Sequence, residues 1–571
     1  MNKNIACSGS FCFVLHSHLP FVKKAGVWPF GEEWLLEGML ETYIPLLDIL
    51  YELKEQKIPY RIVIGITPVL AEQLADEYFL KRFEEFMSAK IQRASFDIDK
   101  FSARHQPEYR QLSEFYKNNF VKILDNFHNK YNRNIITAFK KLQDDGNIEI
   151  ITSAATHGYL PLLSRNSSVY AQLKIGIDTY RKHFGRKPKG IWLPECAYRG
   201  GQIVHITKNE SYYRPSIDEL LASLGIEYFI VDSHAIEGGE AYWGGKRSGI
   251  YGEIKAPAVD YTKKTGRNTA IPYLTKSGVV AFGRNRETGL LVWSGEYGYP
   301  GDGNYREFHK KDYDSGLQYW KITSTKIDLG LKEIYQYQNT VCRINENADH
   351  FNTVVERILA DYNKSTNEFG MVISPYDTEL FGHWWFEGIE WLKQVLIKTS
   401  KNPTISLMTP SEYLQKYPPK LVAELPESSW GDGGGHYVWF NDETKWMWPY
   451  IHDAEVQMED IVQKFIHGDV STNTTRALNQ SARELLLLQS SDWPFLITTK
   501  QAKEYAAERF LQHYNRFCRL VSGLKEGGGM GGRTESAEFL GFLTEIEEID
   551  SVFTEIDYRK FARREPPARR R

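Results

Sequence analysis

Ile191-Trp192-Leu193-Pro194-Glu195-Cys196-Ala197-Tyr198 is a short apolar run that ends on a carboxylate, with a proline fixing the backbone before it. It reads as a buried strand that delivers one acid at its carboxyl end. A second run does the same at Ser374-Pro375-Tyr376-Asp377-Thr378-Glu379. Two carboxylates at strand ends suit acid/base or nucleophilic chemistry.

The pattern recurs along the chain. Phe11 to Leu15 leads into His16-Ser17-His18, Arg61 to Ile66 into Thr67-Pro68, and Ile148 to Ile151 into Thr152 through His157. Tyr228 to Val231 leads into Asp232-Ser233-His234, and Val279 to Phe282 into Gly283-Arg284. Amphipathic helical stretches separate these runs, so the strands are expected to be parallel. Polar residues always follow the strand, which fits a barrel with its site at the carboxyl face better than a sandwich; a doubly wound open sheet has the same pattern. Pro215 near a helix start and Gly225 at its end mark one βα unit.

With 571 residues the chain exceeds one ordinary domain, so we expect a catalytic domain over 1–420 and a smaller partner. About 72–140 lacks strand signals and reads as a helical insertion. About 233–272 is rich in Gly, Tyr, Lys and Arg, which suits either a lid over the site or a solvated loop. Thr409-Pro410-Ser411-Glu412 reads as the cap of the last helix of the first domain, and Pro418-Pro419 as its boundary. Residues 421–525 are expected to form an all-helical domain that completes a groove. Residues 526–571, with Gly527-Gly528-Gly529, read as a flexible linker and charged tail.

A net charge of −3 provides no field to collect nucleic acid or an anionic membrane. No apolar stretch reaches about 18 residues, and the start of the chain has no long apolar region. Five scattered cysteines, none in a CxxC pair, favour a reducing compartment without a zinc knuckle. The expectation is a cytoplasmic protein without cofactor; its oligomeric state is open, with a monomer favoured. Aromatic residues make up 14% of the chain, more rings with polar edges than a core alone needs, and such rings suit stacking on sugar faces.

Asp377 lies in Tyr376-Asp377-Thr378-Glu379-Leu380-Phe381-Gly382-His383-Trp384-Trp385-Phe386-Glu387, which adds acids, a histidine and two tryptophans. Glycoside cleavage needs two carboxyl groups flanking the bond, held roughly 5 Å apart in retaining enzymes. His16 and His18 form an HxH pair that alternation sends to one face. Such a pair either hydrogen-bonds a sugar or begins a metal site, for which His157, Asp232, His234 and His383 are further candidate ligands. Hydrogen bonding is preferred, because two acids need no metal. Glu149 reads as structural, and Glu379 and Glu387 as partners of the site.

On these residues the chain resembles glycoside hydrolase family 57, and within it the α-1,4-glucan branching members. The resemblance rests on four segments in order: His16-Ser17-His18-Leu19-Pro20, Gly146 to Ile150 with His157-Gly158-Tyr159-Leu160-Pro161, Trp192 to Tyr198, and Ser374 to Trp384. With the helical region bearing Trp430 and Trp439 it covers about residues 8–520, and leaves the end after Glu526 without a counterpart. It implies an incomplete (β/α)7 barrel, an α-glucan substrate and a retaining mechanism, with Glu195 as nucleophile and Asp377 as proton donor and base. The chain would pass to a 6-hydroxyl, the alternatives being amylase-type hydrolysis and 4-α-glucanotransfer. It further implies that His16, His18 and His157 line the sugar pocket and that Trp28 and Trp293 stack on it. Arg284 and Gly301 would touch the glucan from the barrel, and Trp430, Trp439, Asp492 and Gln501 from the helical domain. A metal-dependent hydrolase or deacetylase and a non-catalytic glucan-binding protein are the readings from other classes.

Overall fold

The computed structural model describes residues 7–205, 211–239, 264–294, 298–468, 470–526 and 533–564. Among the described residues seven parallel strands form its central path, β1 (Gly9–Ser17), β2 (Ile62–Ile66), β3 (Ile148–Ile151), β4 (Gly190–Ile191), β5 (Tyr228–Val231), β6 (Val280–Gly283) and β7 (Gly370–Asp377), and an eighth, Ile405–Leu407, pairs parallel with β1 off that path. Hydrogen-bonded pairing gives β7-β1-β2-β3 and β4-β5-β6. A single parallel bridge, Thr152 to Ile191, joins the two sets. The far ends meet where the Asn285 N–H, just past β6, donates to the Ile373 carbonyl of β7 at 3.2 Å. This near-closed path is consistent with the incomplete barrel expected from the sequence.

The strands are apolar on both faces because each face meets a different core. Phe11, Phe13 and Leu15 of β1 pack with Ile62, Ile64, Ile148 and Ile150, whereas Cys12 and Val14 pack with Val63, Ile151 and Ile191. Since the strands run parallel, their carboxyl ends share one edge. His16 to His18, Thr67, His157, Glu195, Asp232, Arg284 and Asp377 all lie there.

Local signals formed the elements they predicted. Ser216 and Glu219 make a capping box at the start of helix Ile217–Leu224, which ends on Gly225 at φ 78°. Thr409 and Glu412 cap helix Pro410–Lys416 in the same way. The insertion is helical, dominated by Glu77–Ala103 and Pro107–Asp125. Glu149 is structural, accepting from the Tyr228 hydroxyl at 2.8 Å and the Ser411 hydroxyl at 2.6 Å. Of the expected lid, helix Ser233–Glu237 and residues 264–272 are seen; 240–263, with Gly244 and Gly245, lie outside the described residues. No described helix is long and apolar enough to cross a membrane.

Ile191 and Phe229 share one apolar cluster with Leu485, Phe517 and Leu520 of the helices beyond Pro418-Pro419. One expectation needs correction: residues 533–564 are not a loose tail. They form helix Ala537–Ile549 and bury Phe539, Leu543, Ile546, Phe553 and Phe561. Phe539 sits so close to Gly523 that a Cβ there would stand 2.2 Å from the ring. Buried Asp550 also accepts from Arg516 at 2.5 Å and lies 3.8 Å from His513. The glycines before this segment suggested a linker, and the acidic amphipathic stretch after it reads as a mobile tail until its packing partner is known. Asp550→Ala should therefore cost roughly 3 kcal/mol in denaturant unfolding, because it leaves a guanidinium without its buried partner.

Candidate active site

One cavity of about 950 Å³ lies at the carboxyl edge of the strands and is lined by both Glu195 and Asp377. This volume suits several sugar rings. Its wall continues past the acids to Trp28, Phe30, Trp34, Phe86, Phe308 and Trp384.

Glu195 follows β4 in the tight turn Pro194–Cys196, with φ 61° and ψ 26°. A left-handed conformation costs a non-glycine residue roughly 1 kcal/mol, and such strain gathers at functional sites. The Cys196 N–H donates to Leu193 O at 2.9 Å, and the Trp430 N–H to Glu195 O at 3.0 Å, so the turn is held from both sides. Each carboxylate oxygen receives one donor: Trp430 Nε1 reaches Oε2 at 2.8 Å and Ser491 Oγ reaches Oε1 at 3.0 Å. Burial pushes the Glu195 carboxyl up to about 7, helped by the charges of Asp377 and Asp492 and opposed by the bonds from Trp430 and Ser491. Asp377 ends β7, in register with His16 on β1.

The histidines form a compact group. His16 Nε2 and His157 Nε2 are 3.0 Å apart, and the rings of His18 and His157 stack at 4.0 Å. His18 bonds Thr67 Oγ1 through Nδ1 at 3.1 Å and Asp492 Oδ2 through Nε2 at 3.0 Å. Burial, then the neighbouring His18, holds His16 and His157 well below the usual imidazole range, so both are neutral. Glu379 accepts from the His18 N–H at 3.2 Å and from the Tyr43 hydroxyl, and burial pushes it up to about 7. Glu387 accepts from the Tyr335 hydroxyl at 2.6 Å and does not line the cavity.

Two of the candidate metal ligands, Asp232 and His383, are committed elsewhere. Asp232 is held by Arg284 through Nε at 3.1 Å and Nη2 at 2.8 Å, and His383 bonds Glu41 at 2.5 Å. Among the described residues the three-donor cluster with metal-like spacing is Glu484, His513 and Asp550, outside the cavity. That geometry disfavours the HxH metal reading.

The structure brings His16, His18, His157, Arg284, Trp293, Trp430, Asp492 and Gln501 to the cavity, with Trp28 at its rim, 77% exposed. Two expected residues are not there. Gly301 ends the turn Tyr299–Gly301 away from the lining. Trp439 is fully buried and stacks on Tyr159 at 4.5 Å; Gly431, where a Cβ would stand 2.7 Å from the indole, lets the loop close over it. Trp430 serves Glu195 through its N–H, a more specific task than glucan contact. Ser491 was missed, because a serine before Asp492-Trp493-Pro494 reads as a helix start.

Two carboxylates in one sugar-sized cavity at the carboxyl ends of parallel strands are the groups that glycoside cleavage by a pair of acids requires. The chain belongs to glycosyl hydrolase family 57, whose model matches residues 12–426. A second family model, 1,4-alpha-glucan branching enzyme, C-terminal, matches 450–561, so the end of the chain does have a counterpart. The chain is 45% identical to a 1,4-alpha-glucan branching enzyme of Thermococcus kodakarensis over 98% of its own length and 79% of the relative's. The structure of a branching enzyme of this family from Pyrococcus horikoshii superposes with TM-score 0.87 at 43% identity, covering 98% of each chain. An alpha-amylase from Thermotoga maritima does so with TM-score 0.81 at 32% identity, covering 97% of this chain and 99% of that one.

Proposed function

We propose that this protein is a 1,4-α-glucan branching enzyme in which Glu195 is the nucleophile and Asp377 the acid and base. The observation that carries the roles is the setting of Glu195: a strained turn, a donor on each oxygen, and a second carboxylate across one cavity. The branching activity is supported by the carboxyl-terminal family match and the likeness to the two archaeal branching enzymes.

Glu195 attacks the anomeric carbon as the bond to the leaving 4-oxygen breaks, and Asp377 gives that oxygen its proton. In the second half Asp377 takes the proton of an incoming 6-hydroxyl, whose oxygen displaces Glu195 and forms the α-1,6 bond. Below about pH 7 the raised Glu195 carboxyl of the free protein holds a proton, and attack on the anomeric carbon needs it ionised. Positive charge developing on the sugar beside Glu195 favours its ionised form.

Transfer requires a sugar hydroxyl to outcompete water. The aromatic wall of Trp34, Phe86, Phe308 and Trp384 supports this by lining room for an acceptor beyond the acids. The free cysteines Cys12 and Cys196, both buried, suit a cytoplasmic location.

Incubation with amylose should lower iodine staining without a matching rise in reducing ends, and debranching should then release short chains. Reducing ends that rise in step with the loss of staining would instead assign hydrolysis, the activity named for the Thermotoga maritima structure. Loss of staining with neither reducing ends nor debranchable chains would assign α-1,4 transfer.

A further inference from the structure

Ser491 stands at the start of helix Asp492–Thr499, where a serine hydroxyl ordinarily accepts a first-turn N–H. It makes no such bond. The side chain, 1% exposed, is used across the cavity wall: Oγ lies 3.0 Å from Glu195 Oε1 and 2.8 Å from His157 Nδ1. The Ser491 N–H also donates to the His157 carbonyl at 3.1 Å, so the backbone fixes the hydroxyl in place.

A hydroxyl has one proton, and an ionised carboxylate can only accept. The Ser491 proton therefore points at Glu195, and Oγ accepts from His157 Nδ1–H. His157 Nε2 is then a lone pair, and His16 Nε2, 3.0 Å away, carries the hydrogen between them. His16 Nδ1 is left bare, and it is buried without a hydrogen-bond partner.

We propose that Ser491 is a positioning residue that sets the hydrogen-bond direction from Glu195 through His157 to His16, keeping the nucleophile ionised and both imidazoles in defined neutral tautomers. The inference rests on the reading of Glu195 as nucleophile. Protonation of Glu195 Oε1 reverses the chain: the acid donates to Ser491, Ser491 to His157 Nδ1, and His157 Nε2–H to His16 Nε2, leaving the His16 hydrogen on Nδ1. The two states differ by the one proton taken up from solvent. The charged and titratable groups facing this chain are Asp377 from β7, His18 just after β1, Asp492 from the helix after Ser491, and Arg284, which lines the same cavity and is paired with Asp232.

The test uses the full chain. Removing a donor to a charged carboxylate should raise the acidic limb of kcat/KM by about 1 pH unit in Ser491→Ala, with kcat/KM near pH 6 falling roughly tenfold. Ser491→Thr, which keeps the hydroxyl, should restore the limb. In 15N-histidine spectra of the wild type, His157 and His16 should exchange their protonated nitrogens as Glu195 titrates. An unshifted limb in a folded Ser491→Ala, or tautomers indifferent to the titration of Glu195, overturns the inference. If the wild type leaves α-glucan unchanged, or Glu195→Gln keeps full activity, the functional reading fails instead. Should Ser491→Ala not fold, the wild-type spectra alone decide.

Discussion

Glu195→Ala and Asp377→Ala should each lower α-glucan transfer by about 10⁴-fold or more, the scale seen when a member of a catalytic unit is removed. The two losses differ in kind. Without Glu195 no glycosyl-enzyme forms, and small anions such as azide enter the vacated space to attack the α-glucoside from the opposite face, giving a β-glycosyl azide. Without Asp377 the nucleophile still works on substrates whose leaving group needs no proton. Azide then attacks the glycosyl-enzyme and gives the α product. Product anomers read by NMR check both roles: the same anomer from both variants would exclude the assignment, and full activity in both would place the chemistry elsewhere.

The second large effect is on pH. The Glu195 carboxyl is pushed up to about 7, first by burial and then by the charges of Asp377 and Asp492. The acidic limb of kcat/KM, which reports ionisation in the free protein, should lie near 7 and not near the 4.5 of an ordinary glutamate. The same shift acts on stability with a definite sign. A carboxyl whose folded pKa exceeds its unfolded one binds more protons when folded, so its contribution is fully present below the unfolded value and is lost as pH rises through the folded value. Between about pH 4.5 and 8 this group should remove roughly 3 kcal/mol of stability. Glu379, also pushed up to about 7, acts in the same direction, so the wild type alone does not isolate Glu195. The difference between wild type and Glu195→Gln in denaturant unfolding does. Glu195→Gln should gain on the wild type as pH rises, and a constant difference across the range would refute the shifted carboxyl.

The structure and the reading of the chain agree where the signal is local. Ser216-Ile217-Asp218-Glu219 contains its own capping box, and Gly225 its own stop, so that helix was legible to within a residue. Apolar runs ending on polar residues located the strands and put Glu195 and Asp377 on one edge, because parallel strands have no choice about which ends coincide. Trp439 could not be placed in this way. Its neighbours Gly433-Gly434-Gly435 suggest an open loop, and only the approach of Tyr159 from far along the chain turns its indole into core. The segment after Gly532 is amphipathic by its sequence, but its docking was not legible. Its apolar stripe is short, and what covers it is helix Lys503–Glu526 with Gly523 opening the space.

The sequence by itself determined the alternation of strands and helices, the helical insertion, and the two acids, since hydrophobic period, caps and strand ends are properties of neighbouring residues. The tertiary structure decided what surrounds those acids. Trp430 and Ser491 lie 235 and 296 residues from Glu195, yet each donates to one of its oxygens. Nothing local encodes that meeting. It arises because loops of the carboxyl-terminal helices pair their backbones with the turns that carry Glu195 and His157, and burial by those loops raises the Glu195 carboxyl while their donors oppose the rise.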